Sequence, residues 1–231
     1  METVENLPLI GGNPALDLVN TTQRGIPLPG AANHDHLQTP DDLVVWSERV
    51  GLISPDEAGT ALAAFERTPA DGAEALRRVR LIREALYDAL LAIVEERPSD
   101  EPVRQSLDVL RQSWIRAVQR SEFDLSGPAS HGSPDPALIR RLRVGKDPAH
   151  VITDRIAVAA AETLRDVQPE RLRQCPVDEG GCGWLFVDRS RNGSRRWCRM
   201  ADCGTQVKSR RLTERRRQHP PKEVHAPRRT P

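Results

Sequence analysis

The chain has 231 residues, which suits one medium domain with a small companion, or one domain with a tail. At 38% hydrophobic and 3% aromatic it fits a helical protein with an aliphatic core. No apolar run approaches bilayer length, and the opening METVENLPLIGGNPALDLVNT lacks the pattern of a secretory signal, so a cytoplasmic setting with reduced thiols is expected. The net charge of +1 conceals a split: from Gln168 onward 16 Lys and Arg face 7 Asp and Glu, a local +9, against −8 for the rest. Phosphate would repel the acidic body and attract the basic end.

In chain order, GNPALDLVNT opens with Asn13 as a candidate N-cap and Pro14 at the first helical position, which predicts a short helix, with a strand through Leu16 and Leu18 as the alternative. RGIPLPGAANHDHLQTP reads as a loop, in which His34 and His36 are either solvated or metal ligands. TPDDLVVWSERVG is a capped helix with Thr39 as N-cap, Gly51 as its stop, and Leu43, Trp46 and Val50 facing inward. Ser54 and Glu57 form a capping box around Pro55 for the next helix.

The strongest periodicity follows, with Leu76, Val79, Ile82, Leu86, Leu90 and Ile93 at three-to-four spacing until Pro98. A partner helix carries Val103, Leu107, Leu110, Trp114 and Val118 on one predicted face, giving an antiparallel pair. After a loop at DLSGPASHGSPDP, ALIRRLRV reads as a strand and DPAHVITDRIAVAAAETLRDV as a helix. The expected fold is mainly α: a helical domain over 1–167, a zinc-bound β-hairpin plus helix over 168–217, and a disordered basic Pro-rich tail over 218–231.

All four cysteines fall in the second of these regions. Cys175, Cys182, Cys198 and Cys203 form two pairs separated by a short span, the arrangement a tetrahedral four-thiolate zinc site requires. Two disulfides, four free thiols and iron–sulfur ligation are the alternatives; a chain without an export signal favours metal. Four thiolates close the coordination shell, so the one zinc ion would be structural. WLFVD alternates as a strand does, with Trp184 and Phe186 on one side and Leu185 and Val187 on the other, and Trp197 is placed to close the same small core. These aromatics read as core, with base stacking as the rival use.

Two arginine groups remain. One surrounds the Asn192-Gly193 turn signal and includes Arg191, Arg195 and Arg196; the other follows Cys203 on a predicted helix where Lys208, Arg211 and Arg215 share a face. A charge run is ordinarily a solvated face. Here it has almost no matching acid, and it starts at a metal loop that would set its direction, so double-stranded DNA is the expected partner.

The stretch CGWLFVDRSRNGSRRWCRMADCGTQVKSRR, residues 182 to 211, resembles the zinc-finger module of the CGNR family of bacterial proteins. ALDLVNT, DLVVWSERVGLI and LIREAL resemble the N-terminal ABATE domain found with that module. The resemblance implies a stress-induced transcriptional regulator, associated with the nucleoid. The signature Asn-Arg is replaced by Thr205-Gln206, which removes a cation near the helix start and leaves Gln206 able to bond an adenine edge. The first cysteine pair is about two residues longer than the family pattern, which loop entropy tolerates.

A regulator needs an input. Asp17, Asn20 and Arg83, polar groups on apolar helices at positions matching the family, are candidates for lining an effector pocket; capping and interhelical hydrogen bonding are the alternative. A homodimer is a further candidate. No phosphate loop, Ser-His-Asp arrangement or open metal site is evident, so the chain is not expected to be an enzyme. The rival to DNA binding is a zinc-stabilised module that docks on protein or RNA.

Overall fold

The computed structural model describes residues 3–25, 35–97, 100–124 and 141–218. The side chains of Asp124, Arg141, Leu142, Arg211 and 214–218 lie outside that description, as do residues 26–34 with His34, residues 125–140 and residues 219–231, on which most of the expected loops and of the expected disordered tail fall.

Local chemistry starts the helices where the sequence predicts. Asn13 caps α1 (Pro14–Val19) by accepting from Leu16 N at 2.9 Å. Thr39 and Asp42 form a reciprocal capping box on α2 (Pro40–Arg49), and Ser54 and Glu57 form one on α3 (Pro55–Arg67). A single residue, Thr68, separates α3 from α4 (Pro69–Val94), which therefore begins slightly earlier than the apolar periodicity suggests. Asp100 caps α5 (Glu101–Gln119), and α6 spans Val151–Asp166.

α4 is the central element and touches all five of these other helices. Its predicted stripe is buried over most of its length: Leu76, Val79, Ile82, Leu86 and Leu90 enter the main core with Leu16, Leu18, Trp46, Ile152 and Ile156, while Ile93 at the end is only half-buried against it. α5 departs from expectation. Its buried face is Val103, Ser106, Leu110 and Ala117, while Leu107 and Trp114 are exposed. The reason is that α5 packs against both α4 and α6, so small residues face the seam where three helices converge and the larger side chains turn outward.

A two-stranded antiparallel ribbon joins α5 to α6. The expected strand is realised as β2 (Arg141–Arg143), paired with β1 (Glu122–Asp124), which has no sequence signal of its own. A second ribbon, β3 (Leu172–Gln174) with β4 (Leu185–Val187), starts the C-terminal module. Its alternation is as predicted: Leu185 joins the helical core and Val187 packs against it, while Trp184 and Phe186 join the cysteines. The last helix, α7 (Thr205–Gln218), leaves the fourth cysteine through one wide turn, Met200–Gly204, closed by Gly204 N on Arg199 O. No helix among the described residues is long and apolar enough to cross a membrane.

The module is joined to the helices by directed bonds as well as by packing. The Asn20 carboxamide donates to Leu185 O at 2.8 Å and accepts from Leu185 N at 2.9 Å. Trp184 Nε1 donates to Thr22 O at 3.2 Å, and Gln174 Nε2 donates to the Tyr87 hydroxyl at 2.8 Å.

Candidate metal centre and nucleic-acid interface

The ribbon delivers the first cysteine. Cys175 follows β3 directly, and its amide donates to Trp184 O, which ties the strand ends together. The six residues to Cys182 fold back through bonds from Gly180 N to Val177 O and from Gly181 N to Pro176 O. Gly181 has no room for a side chain, since a Cβ there would meet Cys175 Sγ at 2.7 Å. The loop's extra length is thus absorbed by tight turns.

The second pair is set by a buried carboxylate that sequence reading did not single out. Asp188, at the end of β4, accepts from Ser190 N through Oδ1 and from Arg195 N through Oδ2, both at 2.8 Å. The hydrogen bonds of Ser190, with those of the backbone amides, hold its carboxyl below the usual carboxylate range. The Asn192-Gly193 turn does form, with Gly193 N on Ser190 O. No paired strand follows it: Asp188 has taken the amide a second arm would use, β3 holds one edge of β4, and Asn20 holds the Leu185 groups on the other. The carboxylate signal in the sequence, a lone Asp after an apolar strand and before a Ser-rich turn, is that of an Asx turn.

All four sulfurs meet. The Sγ atoms of Cys175, Cys182, Cys198 and Cys203 lie within 4.8 Å of one another, all four residues are buried, and none is in a disulfide. Cys182 and Cys198 are 3.4 Å apart and Cys198 and Cys203 3.5 Å, far beyond a disulfide bond of about 2.05 Å. They approach the roughly 3.8 Å edge that follows from tetrahedral zinc with bonds of about 2.3 Å. Hydrogen bonds among the sulfurs pull the Cys175 thiol down and push those of Cys182 and Cys198 up, so the cluster titrates as one unit. The donor set fits one structural zinc held by four cysteines, with no ligand position left open for catalysis.

The shell is apolar. Trp184, Phe186 and Leu7 are buried with the cysteines, and Trp197 and Ile10 pack against them. Leu7 and Ile10 come from the N-terminal segment, a contribution that nothing in the sequence near the cysteines signals. Trp184 is thus part of this core, and Trp197 is half-buried against it. From the helical side, the amides of Arg24 and Gly25 both donate to Cys182 O, at 3.2 and 2.9 Å.

The basic residues divide by environment. Arg191 and Lys208 are exposed, and so are Arg189 and Arg199. Arg196 is exposed, pairs with Glu179 and lies over the Trp197 ring. Arg195, expected to grip phosphate, is spent inside the module: its guanidinium donates to Trp197 O and Cys198 O and lies 4.5 Å from the centre of the Phe186 ring. Gln206 is half-buried in the first turn of α7, and Val207 is the buried anchor of that helix. The side chains of Arg211 and Arg215 lie outside the described residues.

The three candidate effector contacts all have internal partners. Asp17 accepts from Gly11 N at 2.7 Å, and burial pushes its carboxyl up. Asn20 binds Leu185. Arg83 forms a bidentate pair with Asp35 at 2.6 and 2.8 Å and reaches Thr21 Oγ1. These are bonds of the kind that the capping and hydrogen-bonding alternative calls for. His36 is buried, its amide bonded to Thr21 O.

Two family models match. Residues 171–216 match the CGNR zinc finger, and residues 12–167 match ABATE, described as "Putative stress-induced transcription regulator". No curated protein matches the sequence. With one model spanning more than half of the chain and the other enclosing all four sulfur ligands, the protein belongs to the ABATE family and carries a CGNR zinc finger that holds one structural zinc.

Proposed function

We propose that the protein is a transcription regulator whose zinc module binds duplex DNA and whose helical domain supplies effector sensing or dimerisation. It acts as a binding protein rather than an enzyme, in the cytoplasm at the nucleoid, and divides functionally near residue 167. The observation that carries this reading is the pairing of a metal-held knuckle with a surplus of exposed positive charge: Arg196 and Arg199 pair with Glu179 and Asp202, and the basic residues from Gln168 onward still outnumber the acidic ones by 16 to 7. Arg189, Arg191, Arg196 and Arg199 are exposed around the cluster, and α7 leaves the fourth ligand anchored by Val207 with Lys208 outward. A helix this polar has no core to join, and its charge is drawn to phosphate.

In this reading Lys208, with Arg211 and Arg215 further along α7, faces the duplex, Arg191 and Arg196 contact the flanking backbone, and Gln206 reads a base edge. The test is a salt series of duplex affinity with the zinc-loaded chain. Arg191→Ala with Lys208→Ala should weaken binding at low salt and lower the slope of log K against log salt by about one per lost phosphate contact. Gln206→Ala should blur sequence preference with little loss of non-specific affinity. A double variant that binds duplex as tightly as the parent at low ionic strength defeats the proposal and favours docking on RNA or protein.

A further inference from the structure

An open groove of about 490 Å³ lies between the start of α2 and the outer face of α4. Pro40 forms one wall, and Ala73, Leu76 and Leu81 form an apolar floor, with Arg77 and Arg80 at the rim. The α4 positions that line it, Ala73, Leu76, Arg77, Arg80, Leu81 and Glu84, recur at intervals of three and four, so the groove runs along one stripe of α4 beside the start of α2, from buried Leu76 out to exposed Leu81. The volume falls in the range of small-ligand sites.

The charge around the groove selects the ligand. Ion pairs link Arg24, Arg77, Arg78, Arg80 and Arg83 to Asp35, Glu74 and Glu84. They form two clusters: Arg77 and Arg78 share Glu74, while Arg24, Arg80 and Arg83 share Asp35 and Glu84, so five guanidiniums meet three carboxylates in these pairs. The bonds of Arg77 to Glu74 use Nε and Nη2, and those of Arg80 to Leu37 O use the same two nitrogens. Neither set involves Nη1, which leaves each rim arginine a donor for an incoming anion.

We infer that this groove is a binding site for a small organic acid, a carboxylate on an apolar body, with the body on the Leu76–Leu81 floor and the carboxylate on Arg77 and Arg80. The inference deepens the regulatory reading, and rests on it only in making the acid an effector. A path for that role is present: Glu84, at the edge of the groove, bonds Arg24 at 2.7 Å, and the Arg24 and Gly25 amides hold the carbonyl of the zinc ligand Cys182. A ligand that reorganises this network acts on the knuckle's inner face.

Calorimetric titration of the zinc-loaded full chain with 4-phenylbutyrate, compared with 4-phenylbutanol, tests the site. The acid should bind at least about tenfold more tightly than the alcohol, the order expected of one charge-assisted hydrogen bond. Arg77→Gln should weaken the acid by a similar factor. Ala73→Trp, at an exposed position, should fill the groove and abolish binding while leaving the fold intact by circular dichroism. Absence of acid binding, equal binding of acid and alcohol, or undiminished acid binding in Ala73→Trp overturns the inference. Duplex titration of the same samples separates the two proposals: acid binding without DNA binding upholds the groove and removes the DNA reading, and DNA binding without acid binding does the reverse.

Discussion

Asn20 and Asp188 each use one short polar side chain to hold two backbone groups in place, and both are buried. Removing such a side chain strands its partners, which costs about 1–3 kcal/mol for each buried group left unsatisfied. Asn20→Ala should therefore destabilise the protein by about 2–4 kcal/mol, read from urea unfolding of the zinc-loaded chain. Asn20→Asp should be no rescue, because it sets a carboxylate against Leu185 O. Asp188→Ala should act on the metal: with Ser190 N and Arg195 N released, the turn before Cys198 loosens and zinc should pass to a chelator faster than from the parent. An unchanged transfer rate would show that the cysteines alone set the turn. Sequence identifies Asn20 as unusual only by its polarity on an apolar helix. Its partner lies 165 residues away, and no local pattern reports a contact of that range.

At the level of elements, caps and cysteine spacing were legible because they are local. Asn13, Thr39, Ser54 and Glu57 act within four residues, and WLFVD shows its two faces through alternation alone. The face of α5 was misread because apolar character marks a side chain as buriable, while the neighbours decide which arc is covered; Ser106 and Ala117 fit the three-helix seam better than Trp114 does. β1 was missed because three residues with exposed Phe123 carry no period. The second ribbon also bears on folding, since Leu172 and Leu185 lie in the helical core and Leu7 lies in the zinc core. Chelating the zinc should therefore lower the melting temperature of the helices as well as unfold the module, measurable by far-ultraviolet circular dichroism with and without chelator. A helical transition that does not move would show that residues 1–167 keep their stability without the module.

Over the whole molecule, acid should loosen one particular joint. Arg155 on α6 bonds Glu57 at the start of α3 and Leu52 O, and its guanidinium holds the Glu57 carboxyl down to about 2 from an ordinary 4.5. A depressed carboxyl stabilises the fold above its unfolded pKa and loses that contribution as pH falls through the folded one. Stability should thus decline between about pH 4.5 and 2, and Glu57→Gln should flatten that part of the profile; solvent exposure keeps the effect modest. The Asn20 clasp has another consequence. β4 pairs with β3 on one side only, and the Leu185 amide and carbonyl point away from that pairing, so the carboxamide of Asn20 stands where a third strand would dock. The side chain is a plug on an open sheet edge, and such edges recruit strands from other molecules. A chain in which α1 has come away presents a sticky, apolar edge at Leu185. Its hazard is then self-association into aggregates, so α1 protects the zinc module's solubility as well as its position.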